Sequence, residues 1–138
     1  MKSTLILVVG ASALASACIS VPQPLAGEWP ALSARGAGPG DLGQRVRWGG
    51  EVVEARPGEP HSCVVVLQRP LDDGARPDWR APAGGRFLAC KQGHLDPDSF
   101  RPGTPLTVTG TLAQFESLPV GDFEYRMPLV ETDFIALW

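Results

Sequence analysis

Lysine is nearly missing from this chain. Lys2 and Lys91 are the only two among 138 residues, and arginine supplies the remaining 10 of 12 cations. Against them stand 15 acidic residues and a formal net charge of −3. No basic face is therefore expected to neutralise phosphates, and nucleic acid is excluded as an expected partner. Histidine occurs only twice, as His61 and His94, and no G-x-S-x-G elbow is present. Ser62 and its neighbours thus have no framework for a catalytic triad, and no catalytic residue is assigned. Asp96-Pro97-Asp98 does pair two carboxylates, but the proline disfavours a helix and the run reads as a turn with Phe100 as its apolar anchor. No cofactor is implied.

Long helices are excluded as well. The chain has 16 glycines and 14 prolines, and these cost roughly 1 and 3 kcal/mol in a helix interior. Their sum is about 22% of the chain, just below the roughly 25–30% that marks low complexity. The glycines follow no three-residue period, so a collagen helix is out. With 43% hydrophobic residues there is enough for a core, and a small, turn-rich, all-β domain remains.

The N-terminus carries an address. Lys2 precedes an apolar run of about 15 residues that ends Leu14-Ala15-Ser16-Ala17-Cys18. This is shorter than the roughly 20 residues that span a bilayer and matches the core of a signal peptide. Small residues directly before a cysteine resemble the bacterial lipobox, in which the Cys thiol receives diacylglycerol and the peptide is cut just before it. Residues 1–17 are then the signal peptide and Cys18 the lipidation site, and Ile19 after it, where lipoproteins kept on the inner membrane usually carry Asp, resembles the class held to the outer membrane through acyl chains. An ordinary cleavage after Ala15-Ser16-Ala17 is the alternative. Several acyl chains, at about 0.8 kcal/mol per buried CH₂, anchor stably where one does not.

Residues 18–40 form the second segment. Four prolines and four glycines interrupt it and it shows no periodicity, so a flexible, semi-extended tether is expected. The alternative is that Trp29 and Leu32 pack back on the domain.

The third segment, residues 41–138, alternates as strands do. Arg45–Ala55 alternates on either side of Gly49-Gly50, and Leu106–Phe115 on either side of Gly110. Glycine inside a strand marks a bulge or sharp bend. Two long bent strands suit a small closed barrel. Ser62–Gln68, Arg86–Cys90, Asp122–Arg126, Pro128–Glu131 and Phe134–Trp138 supply further runs. An OB-like barrel of five to six strands is expected.

If Ser62–Gln68 and Arg86–Cys90 pair as an antiparallel hairpin, one register sets Cys63 opposite Cys90, Val65 opposite Leu88 and Leu67 opposite Arg86. Opposed residues can lie close enough for a disulfide, and an oxidising periplasm favours one. The competing reading is a zinc or small-ligand module built from His61, Cys63, Cys90 and His94, although these spacings differ from the usual finger pattern. The long connection Arg69–Gly85, with Trp79 at its middle, is of a length that is usually functional or mobile. Arg47, Trp48, Arg76 and Trp79 are the candidate partner-binding residues, since arginine and tryptophan anchor interfaces. Burial of Trp48 in the core is the alternative.

Together these segments resemble the outer membrane lipoprotein Slp family, the starvation-inducible lipoproteins. The resemblance lies in Gly43–Val53, Gln68–Asp72, Ala75–Pro77, Gly85–Ala89, Gly93–Pro97, Leu106–Gly110, Tyr125–Pro128 and Leu137-Trp138, in that order. It implies a non-enzymatic envelope protein with a structural or partner-binding role in stress or starvation, on the periplasmic face of the outer membrane. It brings no catalytic residues. This chain departs from the family at Ser62–Val66 and at Cys90, so the cysteine pair is particular to its branch.

Overall fold

The structure, a computed structural model, describes residues 3–12 and 20–138. Five strands account for the architecture: β1 (Arg45–Arg56), β2 (His61–Arg69), β3 (Arg86–Gln92), β4 (Pro105–Val120) and β5 (Phe123–Leu137). They close into a barrel in the order β1-β2-β3-β5-β4. All contacts are antiparallel except β3 with β5, which run parallel over Leu88–Cys90 and Leu129–Glu131. The expected all-β, OB-like barrel is the observed fold. Among the described residues no helix is long and apolar enough to cross a membrane.

Alternation sets the inside of the barrel. Val46, Trp48 and Val52 of β1 point inward with Val64 and Val66 of β2, Phe87 and Ala89 of β3, and Leu106, Val108 and Leu112 of β4. Leu95 and Phe100, from the turn around Asp96-Pro97-Asp98, join the same core. That turn is held as its sequence implies, with the Asp98 amide donating to Asp96 Oδ1 at 3.0 Å. At the centre the Trp48 and Phe87 rings meet edge to face, centroids 5.2 Å apart.

The strand glycines are required by close approach. A Cβ on Gly50 would strike the Leu67 carbonyl, and one on Gly110 the Glu131 carbonyl. Only hydrogen fits where the coiled strands cross. Three bulges add to the curl: Val53 is the extra residue against β2, and Ala113 and Asp133 are extra residues in the β4–β5 ladder. A bulge re-aims side chains. Here Val53 and Ala113 turn toward a second apolar cluster, formed by Val65, Leu88, Cys90, Met127 and Leu129.

Two expectations are corrected. The three C-terminal runs, read as separate, are one strand, so the barrel has five strands, within the expected five to six. Pro128 does not interrupt β5 because it sits where the strand passes from its free hairpin half to its pairing with β3 at Leu129. Gly121, at φ +62°, makes the tight turn between Val120 and Phe123. The second correction concerns residues 18–40. From Leu25 onward the chain is a strap lying on the barrel and not a free tether. Leu25 is fully buried and Ala34 nearly so. Arg47 Nη1 donates to the Leu25 carbonyl at 2.6 Å, and Trp48 Nε1 to the Leu32 carbonyl at 2.8 Å. The Ala34 amide donates to Gln68 Oε1 at 2.6 Å. Prolines that prevent regular structure leave backbone groups unpaired, and here barrel side chains satisfy several of them.

Candidate functional site

The long connection between β2 and β3 is a folded lobe, not a mobile loop. Leu71 and Pro77 bridge its base. Asp72 Oδ1 accepts from the amides of Gly74 and Arg76 at 2.9 and 3.0 Å, an Asx turn that closes the tip. The lobe lies across β1 and β4 at Gly49, where a Cβ would come 2.8 Å from Leu71 Cδ2 and 2.9 Å from Thr107 Oγ1. Thr107 Oγ1 donates to the Ala75 carbonyl at 2.6 Å and accepts from Trp138 Nε1 at 3.0 Å. The C-terminal tryptophan thereby ties β4 to the lobe.

Arginine and tryptophan alternate over this surface. The Arg76 guanidinium lies 4.6 Å from the centre of the Trp138 ring. Arg69 lies 6.0 Å from that of Trp79, while its Nη2 donates to Glu51 Oε1 at 3.0 Å. Arg45 and Arg47 flank Trp29 of the strap at 6.0 and 5.9 Å. Cation–π contacts at such sites are worth about 0.5–1 kcal/mol each. Burial pulls the Arg47 guanidinium below its ordinary value, and the Nε atoms of Arg47 and Arg69 are buried without a partner.

The four candidate partner-binding residues therefore separate. Trp48 is 3% exposed and belongs to the core. Alternation puts it inside because its neighbour Arg47 must face out. Arg47 is covered by the strap. Arg76 is exposed, and Trp79 is 47% exposed at the lobe surface. Sequence reasoning missed the ring partners Trp29 and Trp138, and also the hairpin tip, where Phe123 is 76% exposed and Tyr125 is 39% exposed. The clean alternation of Asp122–Arg126 concealed that this part of β5 projects past the barrel.

The register of β2 with β3 sets Cys63 opposite Cys90, and a disulfide joins them, Cα atoms 4.1 Å apart. That spacing belongs to a non-hydrogen-bonded antiparallel pair. The bond overturns the zinc reading, since neither sulfur remains as a thiolate. The disulfide and His61 line a cleft of about 600 Å³ over β3, β4 and β5, whose walls include Arg45, Lys91, Glu131 and Asp133. His94 is not among its lining residues. Asp133 Oδ2 accepts from Arg45 Nη1 at 2.6 Å and its Oδ1 from Thr109 Oγ1 at 2.8 Å. Burial opposes ionisation of Asp133, but these bonds outweigh it and hold the carboxyl below its usual range. The cleft walls carry charges of both signs, with Glu116 as a third acid beside Glu131 and Asp133. Cys18, the expected lipidation residue, lies outside the described residues.

Comparison with known proteins supplies the kinship. The family model described as the outer membrane lipoprotein Slp family matches residues 15–138. The chain is 30% identical to the uncharacterized lipoprotein YeaY of Escherichia coli over 128 residues, covering 89% of this chain and 66% of that protein. It is 30% identical to the outer membrane protein Slp of Escherichia coli over 138 residues, covering 96% of this chain and 73% of that one. An uncharacterized protein of Haemophilus influenzae is 28% identical over 126 residues, with 88% and 68% covered. The chain thus spans about two thirds to three quarters of the length of these relatives. No solved structure matches. With a family model that extends from Ala15 through the whole barrel, this chain belongs to the outer membrane lipoprotein Slp family.

Proposed function

We propose that the protein is a non-enzymatic outer-membrane lipoprotein, anchored through acyl chains on Cys18 and held at the periplasmic face, with a structural or partner-binding role in stress or starvation. The observation that carries this reading is the family match beginning at Ala15, which includes the Ala15-Ser16-Ala17-Cys18 sequence. Residues 1–17 are the signal peptide. Leu5 to Val9 are 78–88% exposed. Such an apolar run suits a segment that leaves the mature protein or meets lipid. The barrel is a rigid carrier, and the exposed lobe bearing Arg76 and Trp79 is its contact surface. Arg47 and Trp48 act in support, the first seating the strap and the second filling the core.

Intact mass of the membrane-extracted protein tests the reading. It is expected to show cleavage before Cys18 and the added mass of acyl chains, and Cys18→Ala is expected to move the protein out of the membrane fraction. A wild-type product that is soluble and unacylated would overturn it. Protein abundance that does not change between growth and carbon starvation would remove the stress role.

A further inference from the structure

We infer that the lobe Asp72–Arg80 is the face this protein lays against the lipid surface that carries its anchor, and that the β4–β5 hairpin tip points away from that surface. This rests on the lipoprotein reading above, since the position of Cys18 supplies the tie to the bilayer. Ser20 lines a hollow together with Asp72, Asp73, Gly74 and Arg76. Two residues of chain span at most about 7 Å, so Cys18 can lie no further than that from Ser20. The described chain therefore enters the fold beside the tip of the lobe, two residues after the anchoring cysteine. Beyond Ser20 the chain is held: the turn Gln23–Leu25 packs on β4 and buries Leu25. A free tether of residues 18–40 would let the barrel turn in any direction and stand tens of ångströms off the bilayer. The docked strap, held from Leu25 onward, restricts both freedoms to the short stretch before it.

The surface so placed has the chemistry of a membrane interface. Trp79 is the exposed aromatic of the lobe, and tryptophan concentrates at headgroup depth, where an apolar ring and a polar N–H are both accommodated. Two of the three acids of the lobe are engaged in its own folding, and the third, Asp73, is exposed at the tip. Asp72 Oδ1 accepts two amides, and Asp78 Oδ1 accepts from the amide and the Nε of Arg80 at 3.0 and 3.3 Å. Arg76 is held over Trp138 and leaves a cation at the tip for lipid phosphates. The rival apolar surface is Phe123. It lies on the far side of Val120, which is thirteen residues along β4 from Thr107, the residue bonded to the lobe at Ala75. A strand that long reaches roughly 40 Å before coiling shortens it, so the two surfaces do not meet one plane together.

The test uses full-length lipidated protein reconstituted in vesicles of phosphatidylethanolamine and phosphatidylglycerol that carry brominated acyl chains. A nitrobenzoxadiazole label is placed on Arg80→Cys or on Asp122→Cys. The Cys63–Cys90 bond and the acylated Cys18 leave each introduced cysteine as the reactive thiol. The label at position 80 is expected to show a blue-shifted emission and to lose intensity to bromine, and the label at 122 to show neither. Quenching at 122 and not at 80 would overturn the orientation, and so would an absence of quenching at both, which would mean a barrel standing off the bilayer or a lobe covered by protein. Intact mass of the same sample separates the premises: acylated protein with the wrong pattern refutes only the orientation, and unacylated protein refutes the lipoprotein reading on which it rests.

Discussion

Breaking the Cys63–Cys90 bond is expected to cost a calculable part of the stability of the barrel. The cysteines are 27 residues apart in sequence. The chain-entropy relation for a loop of that size gives about 3.5 kcal/mol at 25 °C. Small domains have a total stability of about 5–15 kcal/mol, so the loss is large without being fatal. With a urea m-value of about 1.5 kcal/mol/M, the unfolding midpoint falls by about 2 M. Two forms separate the causes. Reduced wild-type protein keeps both sulfur atoms and loses only the cross-link. The double variant Cys63→Ala/Cys90→Ala also removes volume where Cys90 packs with Leu88, Met127 and Leu129, and is expected to lose about 1 kcal/mol more. Native strand signals should survive in both, because Val64–Ala89 and Val66–Phe87 fix the same register from inside the core. A loss below about 1 kcal/mol on reduction would refute the loop-entropy reasoning. A collapse of the fold on reduction would refute the claim that apolar pairing alone holds the register.

Three further outcomes follow from particular contacts. Gly110→Ala drives a Cβ into the Glu131 carbonyl and is expected to destabilise by about 3 kcal/mol, the upper end for overpacking, in a thermal or urea melt. Gln68→Met removes the acceptor of the buried Ala34 amide, a loss of about 1–3 kcal/mol. It should release the strap first, seen as faster amide exchange at Ala34 and Arg35 and as tryptic cleavage at Arg35 while the barrel stays intact. Asp133 is more acidic in the folded chain than its ordinary value, so its contribution is present above about pH 4, the unfolded value, and is lost as pH falls through the lower folded value. Its side chain is 55% exposed, which keeps that contribution below about 1 kcal/mol. Urea midpoints should therefore fall between pH 5 and pH 3 by more in wild type than in Asp133→Asn.

The barrel was legible because strand alternation and glycine position carry the same message. Val46 and Trp48 on one face of Arg45–Ala55, interrupted by Gly49-Gly50, already describe a strand that must cross another closely, and the Leu67 carbonyl beneath Gly50 is that crossing. The cysteine register was legible for a similar reason: placing Cys63 against Cys90 also places Val65 against Leu88, and a one-residue slip would turn both apolar residues to the wrong side. The strap was legible only as the alternative in which Trp29 and Leu32 pack back on the domain. Its contacts are backbone carbonyls and amides of Leu25, Leu32 and Ala34 meeting Arg47, Trp48 and Gln68, and backbone groups leave no trace in a hydropathy pattern. β5 was cut at Pro128, which reads as a breaker although its position at the change of partners makes its missing N–H harmless, and again at Thr132-Asp133, where the bulge residue Asp133 interrupts the alternation.

Of the four candidate contact residues the fold leaves Arg76 and Trp79 exposed, and the other two show why they are not. Arg47 and Trp48 are adjacent, so in a strand they cannot share a face; a surface that needs both was inconsistent with the strand assigned to them. Arg76 and Trp79 lie in a lobe without strand alternation, and both are exposed. What decides their role is not the residues themselves but what covers the alternatives. The strap occupies the face of β1 around Arg47 and thereby withdraws Arg47 from contact with any large partner, whereas Arg45 stays half exposed at the cleft. The same strap fixes where the N-terminal chain leaves the barrel. Covering one face and orienting another are thus one structural act, and the prolines and glycines that first indicated a loose tether permit the irregular path by which the strap reaches Gln68 and ends beside Gly84, where the Arg35 amide donates to its carbonyl at 2.8 Å.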